Sequence, residues 1–234
     1  TDNTLHQLLR YDINIVNGIS NVTKEHKITD LILGLHIKKG LSDSFLGNLT
    51  EGILSRCNPT TLIYKSTQPF NTIKRHVIIV PEHAEKEIGF SLWLKKLWNI
   101  AQNSSAKLVF FASKETIAAI DELELKHQLV FEYHEFTNWN NFLALKNEML
   151  KDDNLIIVLS RKNMPSYDTN MSKIPTYLNT YFNKKSYLLI YPKQAGVKDS
   201  SPINLTNPTL LEPFDKMAEI EQSISKIFRK KQSK

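Results

Sequence analysis

Between His76 and Gln194, short apolar runs alternate with segments whose apolar residues recur at helical spacing. Few architectures accommodate that order. A strand repeats its faces every two residues and a helix every 3.6, so regular alternation of the two builds crossover units in which helices cover a sheet. Strands are expected at 77–80, 108–111, 130–136, 155–159 and 187–191. The run Leu155-Ile156-Ile157-Val158-Leu159 is apolar throughout, as a parallel strand covered on both faces requires. Residues 131–136 alternate instead, with Phe131, Tyr133 and Glu135 on one side and Glu132, His134 and Phe136 on the other, which places that strand nearer an edge.

The intervening helices each carry one apolar stripe. Phe90, Trp93, Leu94, Leu97 and Ala101 form the first, Ile117 and Ile120 mark the second, Trp139, Phe142, Leu145 and Met149 the third, and Ile174, Leu178 and Phe182 the fourth. The three tryptophans sit on amphipathic helices and read as core.

The same plan occurs earlier in incomplete form. A strand at 12–16, a helix at 21–28, a strand at 31–33, a helix bearing Phe45, Leu46, Leu49 and Ile53, and a strand at 61–64 match the second half of the later unit. Leu31 precedes Ile63 by 32 residues, as Ile156 precedes Leu188, so the chain holds an internal repeat whose first copy lacks its opening half. The expected organisation is a half unit at 1–65, a linker at 66–75 around Pro69, a complete unit at 76–194 and an extension at 195–234. A helix at 214–228 in that extension would carry Met217, Ile220, Ile224 and Phe228, docked on its own domain or on a partner. A chain that enters in mid-repeat is expected to be a piece of something longer.

Composition narrows the function. With 234 residues, 41% hydrophobic and 23% charged, the chain can form one large core or two small ones. No apolar run reaches the roughly 20 residues of a membrane span. Cys57 is the single cysteine, so no internal disulfide forms and a reducing compartment is expected. The net charge of +6 is dispersed except for a cluster at 229–231, which argues against nucleic acid and leaves contact with anionic lipid headgroups open. The seven histidines are scattered without zinc-ligand spacing. His83 between Glu82 and Glu85, and His134 between Tyr133 and Glu135, read as surface or packing residues. No metal and no catalytic residue is expected.

The segment 30–49 is the most informative stretch for binding. Glycines that follow a buried strand and precede a helix allow backbone to approach a phosphate and present N–H donors to it. Asp30, Gly34, Gly40, Ser42, Gly47 and Asn48 occupy that stretch, with Ile37 between the first two glycines. This pattern resembles the universal stress protein signature, whose complete form binds ATP or a related nucleotide. Gly34 and Gly47 match its first and last glycines, Gly40 and Ser42 a Gly-Leu-Ser run, and Asp30 the acidic residue that opens the strand. Ile37 replaces the middle glycine and Asn48 the hydroxyl residue, so the nucleotide site, Gly34, Gly40, Ser42, Gly47 and Asn48, is degenerate. In the later copy, Ser160-Arg161-Lys162-Asn163-Met164-Pro165-Ser166-Tyr167 replaces the glycine loop, and Arg161 and Lys162 are expected to be solvated charges.

The motifs Val80-Pro81-Glu82-His83-Ala84-Glu85, Gly89-Phe90, Trp93, Leu159-Ser160-Arg161-Lys162, Ser166-Tyr167, Tyr181-Phe182 and Leu189-Ile190-Tyr191-Pro192 resemble the tandem stress-protein-like tail of bacterial cation/proton (Na+/H+) antiporters. The resemblance implies an α/β fold of tandem universal-stress-protein-like, Rossmann-like parallel sheets, the first copy incomplete, each with strand order 3-2-1-4-5. It implies a non-catalytic regulatory or assembly domain on the cytoplasmic side of the inner membrane. The expected partners are the transporter membrane domain in the same polypeptide and a second copy in a homodimer. No cofactor is expected. A stand-alone tandem stress protein binding ATP or a related nucleotide is the alternative. The resemblance also leads the strand at 12–16 to slide against the strand at 31–33 or to pair elsewhere, and the strands at 61–64 and 187–191 to pair across the repeats.

Overall fold

The computed structural model describes residues 6–12, 14–35, 46–124 and 131–194. Its elements, in chain order, are α1 (Ile15–Glu25), β1 (Asp30–Gly34), α2 (Gly47–Arg56), β2 (Thr60–Lys65), β3 (Arg75–Ile79), α3 (Phe90–Ser104), β4 (Lys107–Ala112), α4 (Lys114–Glu124), β5 (Glu132–Glu135), α5 (Leu145–Glu148), β6 (Asp153–Val158), α6 (Ile174–Tyr181) and β7 (Ser186–Tyr191). Short 3-10 turns at Trp139–Ala144 and Thr169–Lys173 lead into α5 and α6. No helix among the described residues is long and apolar enough to cross a membrane.

The strands form one sheet in the order β1-β2-β7-β6-β3-β4-β5. Every neighbouring pair is parallel except β2 and β7, which run antiparallel with Thr61 opposite Tyr191 and Lys65 opposite Tyr187. The expected pairing of 61–64 with 187–191 is therefore present, and it joins what the repeat suggests are two sheets into a single one. The complete unit follows the 3-2-1-4-5 order as β5-β4-β3-β6-β7, with the alternating strand β5 at an edge.

Side-chain alternation divides the core between the two faces of this sheet. Even-numbered strand residues such as Leu62, Ile78, Phe110, Ile156 and Leu188 pack with Trp93, Leu97 and Trp98 of α3 and Ile120 of α4. Odd-numbered residues such as Ile63, Val77, Val109, Leu155 and Leu189 pack with Trp139, Phe142 and Leu145 and with Ile174 and Leu178 of α6. All three tryptophans are buried, as expected of core residues.

The start of the chain departs from expectation. Residues 12 and 14–16 are not a strand, and the helix expected at 21–28 begins at Ile15 and ends at Glu25. Ile13 lies outside the described residues. The side chain of Asn14 caps α1 by accepting from the Val16 N–H at 2.8 Å. Its buried face is Val16, Ser20 and Thr23, at i, i+4 and i+7. Two of these three are hydroxyl residues, so hydropathy hides the helical stripe, while Ile15-Val16 imitates a strand. Thr23 satisfies its own hydroxyl by donating to the Ile19 carbonyl at 2.5 Å. The linker 66–75 contains a 3-10 turn at Phe70–Thr72, and Arg75 already belongs to β3. The helix expected at 214–228 lies outside the described residues.

Candidate functional site

At the carboxyl ends of β3 and β6 the sheet grows away in two directions, toward β4 and β5 on one side and toward β7 on the other. Loops leaving such a switch point diverge and open the crevice where open α/β sheets bind ligands. Here it lies between the loop 80–89 and the loop 159–168.

In the first loop Glu85 and Glu87 are half-buried, while Glu82 is exposed. Ala84–Lys86 forms a 3-10 turn entered through His83 in the left-handed region (φ 64°). Glu85 accepts a hydrogen bond from the Thr116 hydroxyl at 2.8 Å, and Ser113 and Thr116 are themselves linked at 3.0 Å at the start of α4. Glu87 reaches across the crevice, accepting from the Ser160 hydroxyl at 2.8 Å and, through the same Oε1 atom, from Ser166. The hydroxyls of the degenerate glycine loop are thus engaged by a carboxylate of the chain itself. A phosphate brought to them would meet that negative charge at close range.

Arg161 corrects the sequence reading. It is not a solvated charge: its guanidinium donates to the Leu54 carbonyl near the end of α2 and to the Pro59 carbonyl at 3.4 Å. Burial lowers its hold on its proton, while Tyr191, Cys57 and Glu87 oppose that effect electrostatically. A cation at a helix C-terminus satisfies orphan carbonyls and complements the helix dipole, so Arg161 ties the later unit to the earlier one. Lys162 is exposed, as expected. Beside Arg161, Leu46, Leu54, Tyr167, Ile174 and Tyr191 wall a cavity of about 610 Å³ between α2 and α6.

The sequence-predicted residues are placed unevenly. Gly34 ends β1 and is exposed, and the following Leu35 N–H donates to the Tyr64 carbonyl at 3.0 Å. Gly47 opens α2 at φ +76°, and nothing lies within 4 Å of the position a Cβ would take. That glycine serves the backbone turn into the helix, where L side chains are strained, and does not make room for a close neighbour. Gly40 and Ser42 lie outside the described residues, as does the side chain of Asn48. His83 and His134 are exposed beside Glu85 at 3.9 Å and Glu132 at 2.9 Å. No cluster of three metal-ligating side chains occurs among the described residues. Sequence reading passed over Glu87; a carboxylate four residues beyond His83 on an irregular loop carries no periodic signal.

No protein-family profile and no curated protein matches the sequence. Solved structures do match the fold. A putative universal stress protein from Pseudomonas aeruginosa UCBPP-PA14 superposes with a TM-score of 0.52 at 10% identity, over 77% of this chain and 69% of that one. A universal stress protein from Archaeoglobus fulgidus DSM 4304 gives 0.52 at 10% identity over 77% and 67%. The fold is universal-stress-protein-like. The cytoplasmic domain of a prokaryotic cation chloride cotransporter is similar to the same extent, with a TM-score of 0.51 at 13% identity over 80% of this chain and 72% of that one. At such identities the likeness concerns the fold alone, and function has to be argued from the site.

Proposed function

We propose that the chain is a non-catalytic cytosolic regulatory or assembly domain of a membrane cation transporter, acting through protein contacts. The observation that carries this reading is the closed crevice, in which Glu87 engages Ser160 and Ser166 where a nucleotide phosphate would have to enter. The likeness to the cytoplasmic domain of a cation chloride cotransporter supports a place beside a transporter. The motifs around 80–93 and 159–192 favour a cation/proton antiporter among such transporters. In this reading 1–65 and 76–194 are one and a half copies of one unit, and the antiparallel β2–β7 pair is the seam between them. The partners are then the membrane domain of the same polypeptide and a second copy of the chain, with anionic headgroups nearby. Regulation would follow from differential contacts with two transport states.

The test begins with the open reading frame upstream of Thr1 and continues with cation flux in proteoliposomes containing the whole protein. The reading expects an apolar multi-helix segment upstream, and flux that persists but loses its normal control when the segment 1–234 is deleted. An initiator codon immediately before Thr1 would overturn it.

A further inference from the structure

The C-terminal ends of α1 and α2 meet α3 and the end of β7 around a cavity of about 420 Å³. It shares no lining residue with the 610 Å³ cavity beside Arg161. Five cations line it, Lys24, Lys27, Arg56, Lys96 and Lys193, and no Asp or Glu does. Lys96 is paired with Asp30, whose Oδ1 lies 3.0 Å from Lys96 Nζ.

Helix ends account for part of this charge. Lys24 and Arg56 stand in the last turns of α1 and α2, where cations offset the partial negative charge of the carbonyls. That account does not reach Lys27 or Lys193, which make no ion pair among the described residues. Lys27 occupies the left-handed position that terminates α1 (φ 49°), with its N–H donating to the Lys24 carbonyl at 3.3 Å and the next N–H to Thr23 at 3.0 Å. Glycine is the residue that adopts this helix-ending conformation at least cost. Gly89 lets the backbone of Lys193 pack close, since a Cβ there would come within 2.7 Å of the Lys193 backbone nitrogen.

Lys24, Lys27 and Lys193 are exposed, so water and salt screen much of the repulsion among these like charges, and an anion seated among them would relieve the rest. The walls between the cations are Ile28, Pro59 and Leu92, with the buried hydroxyl residues Ser20 and Thr23 behind them. Apolar walls with a cationic rim suit a ligand whose anionic group is attached to a less polar body. Phosphate fits the rim better than carboxylate, because it carries more charge and more acceptor oxygens for several donors at once.

We infer that this cavity is a binding site for a phosphate-bearing anion, with Lys27 and Lys193 as its principal ligating cations. The site does not depend on the transporter reading, since it uses neither the closed crevice nor any membrane partner. The phosphate can belong to a soluble ester or to a lipid headgroup, and two arms of one experiment separate these sources. Titration calorimetry of the full chain with pyrophosphate and with AMP at constant ionic strength tests the first. Flotation with phosphatidylglycerol vesicles tests the second.

The expected result is saturable binding in at least one arm, weakened roughly tenfold by Lys27→Gly and by Lys193→Gln, the scale of one charge-assisted hydrogen bond. Lys27→Gly relaxes the left-handed backbone, so it is expected to melt no lower than the parent, and its loss of binding cannot be ascribed to misfolding. Loss confined to the calorimetric arm assigns a soluble ligand; loss confined to the vesicle arm assigns a headgroup. No binding to any of the three probes, or binding that both substitutions leave unchanged, overturns the inference.

Discussion

A methyl group added to Gly89 would lie 2.7 Å from the Lys193 backbone nitrogen and 3.0 Å from its carbonyl oxygen. Neither backbone atom can yield as a flexible side chain does, so Gly89→Ala is expected to destabilise the fold by about 1–3 kcal/mol, read as a lower urea midpoint at unchanged slope. His76 provides a second residue-scale test. It is wholly buried, its Nδ1 faces the Asn154 amide at 3.1 Å, and desolvation pulls its pKa down from 6.5 to about 4 against the opposing pull of Asp153. The unfolded chain therefore takes up a proton that the folded chain refuses. The associated stability is fully present above about pH 6.5 and is lost as the pH falls toward about 4, an effect of about 3 kcal/mol. His76→Phe is expected to flatten the pH dependence of stability over that interval; a parent and variant with the same slope would show that His76 titrates normally.

At the scale of elements, the contact between the two parts of the chain runs through Arg161 as well as through the β2–β7 ladder. Arg161→Met leaves the Leu54 and Pro59 carbonyls without their donor and is expected to cost roughly 2 kcal/mol. Arg161→Lys should restore only part of this, because a single ammonium cannot reproduce the planar fork. Equal stability of all three proteins in denaturant would remove Arg161 from the seam. The elements differ in how clearly they announce themselves. Strands β3, β4, β6 and β7 were legible because burial on both faces makes them apolar without interruption, and α3 was legible because a single stripe supplies its whole contact. Helix α1 was not, since its buried face is Val16, Ser20 and Thr23 and its cap is a side-chain oxygen. The crevice was half legible. Correspondence with the earlier copy located the loop 160–167, and its lack of glycines announced its degeneration, but nothing periodic revealed that Glu87 would fold back onto Ser160 and Ser166. The role of Arg161 was equally hidden, because its acceptors lie 107 and 102 residues away in sequence.

For the molecule as a whole, a single sheet carries both parts of the chain, with one core on each face and an antiparallel seam between the second and third strands from the β1 edge. That arrangement retains the universal-stress-protein-like scaffold while its switch-point crevice is closed by carboxylate–hydroxyl contacts. The central claim, that this crevice holds no nucleotide, is tested most directly by two-dimensional amide NMR of the full chain with and without millimolar MgATP, because the readout is local to the loops and separates them from the basic cavity. The amides of Val80, Glu85, Glu87, Ser160 and Ser166 are expected to stay in place even if those near Lys27 move. Saturable displacement of the crevice amides, enhanced in Glu87→Gln, would contradict it.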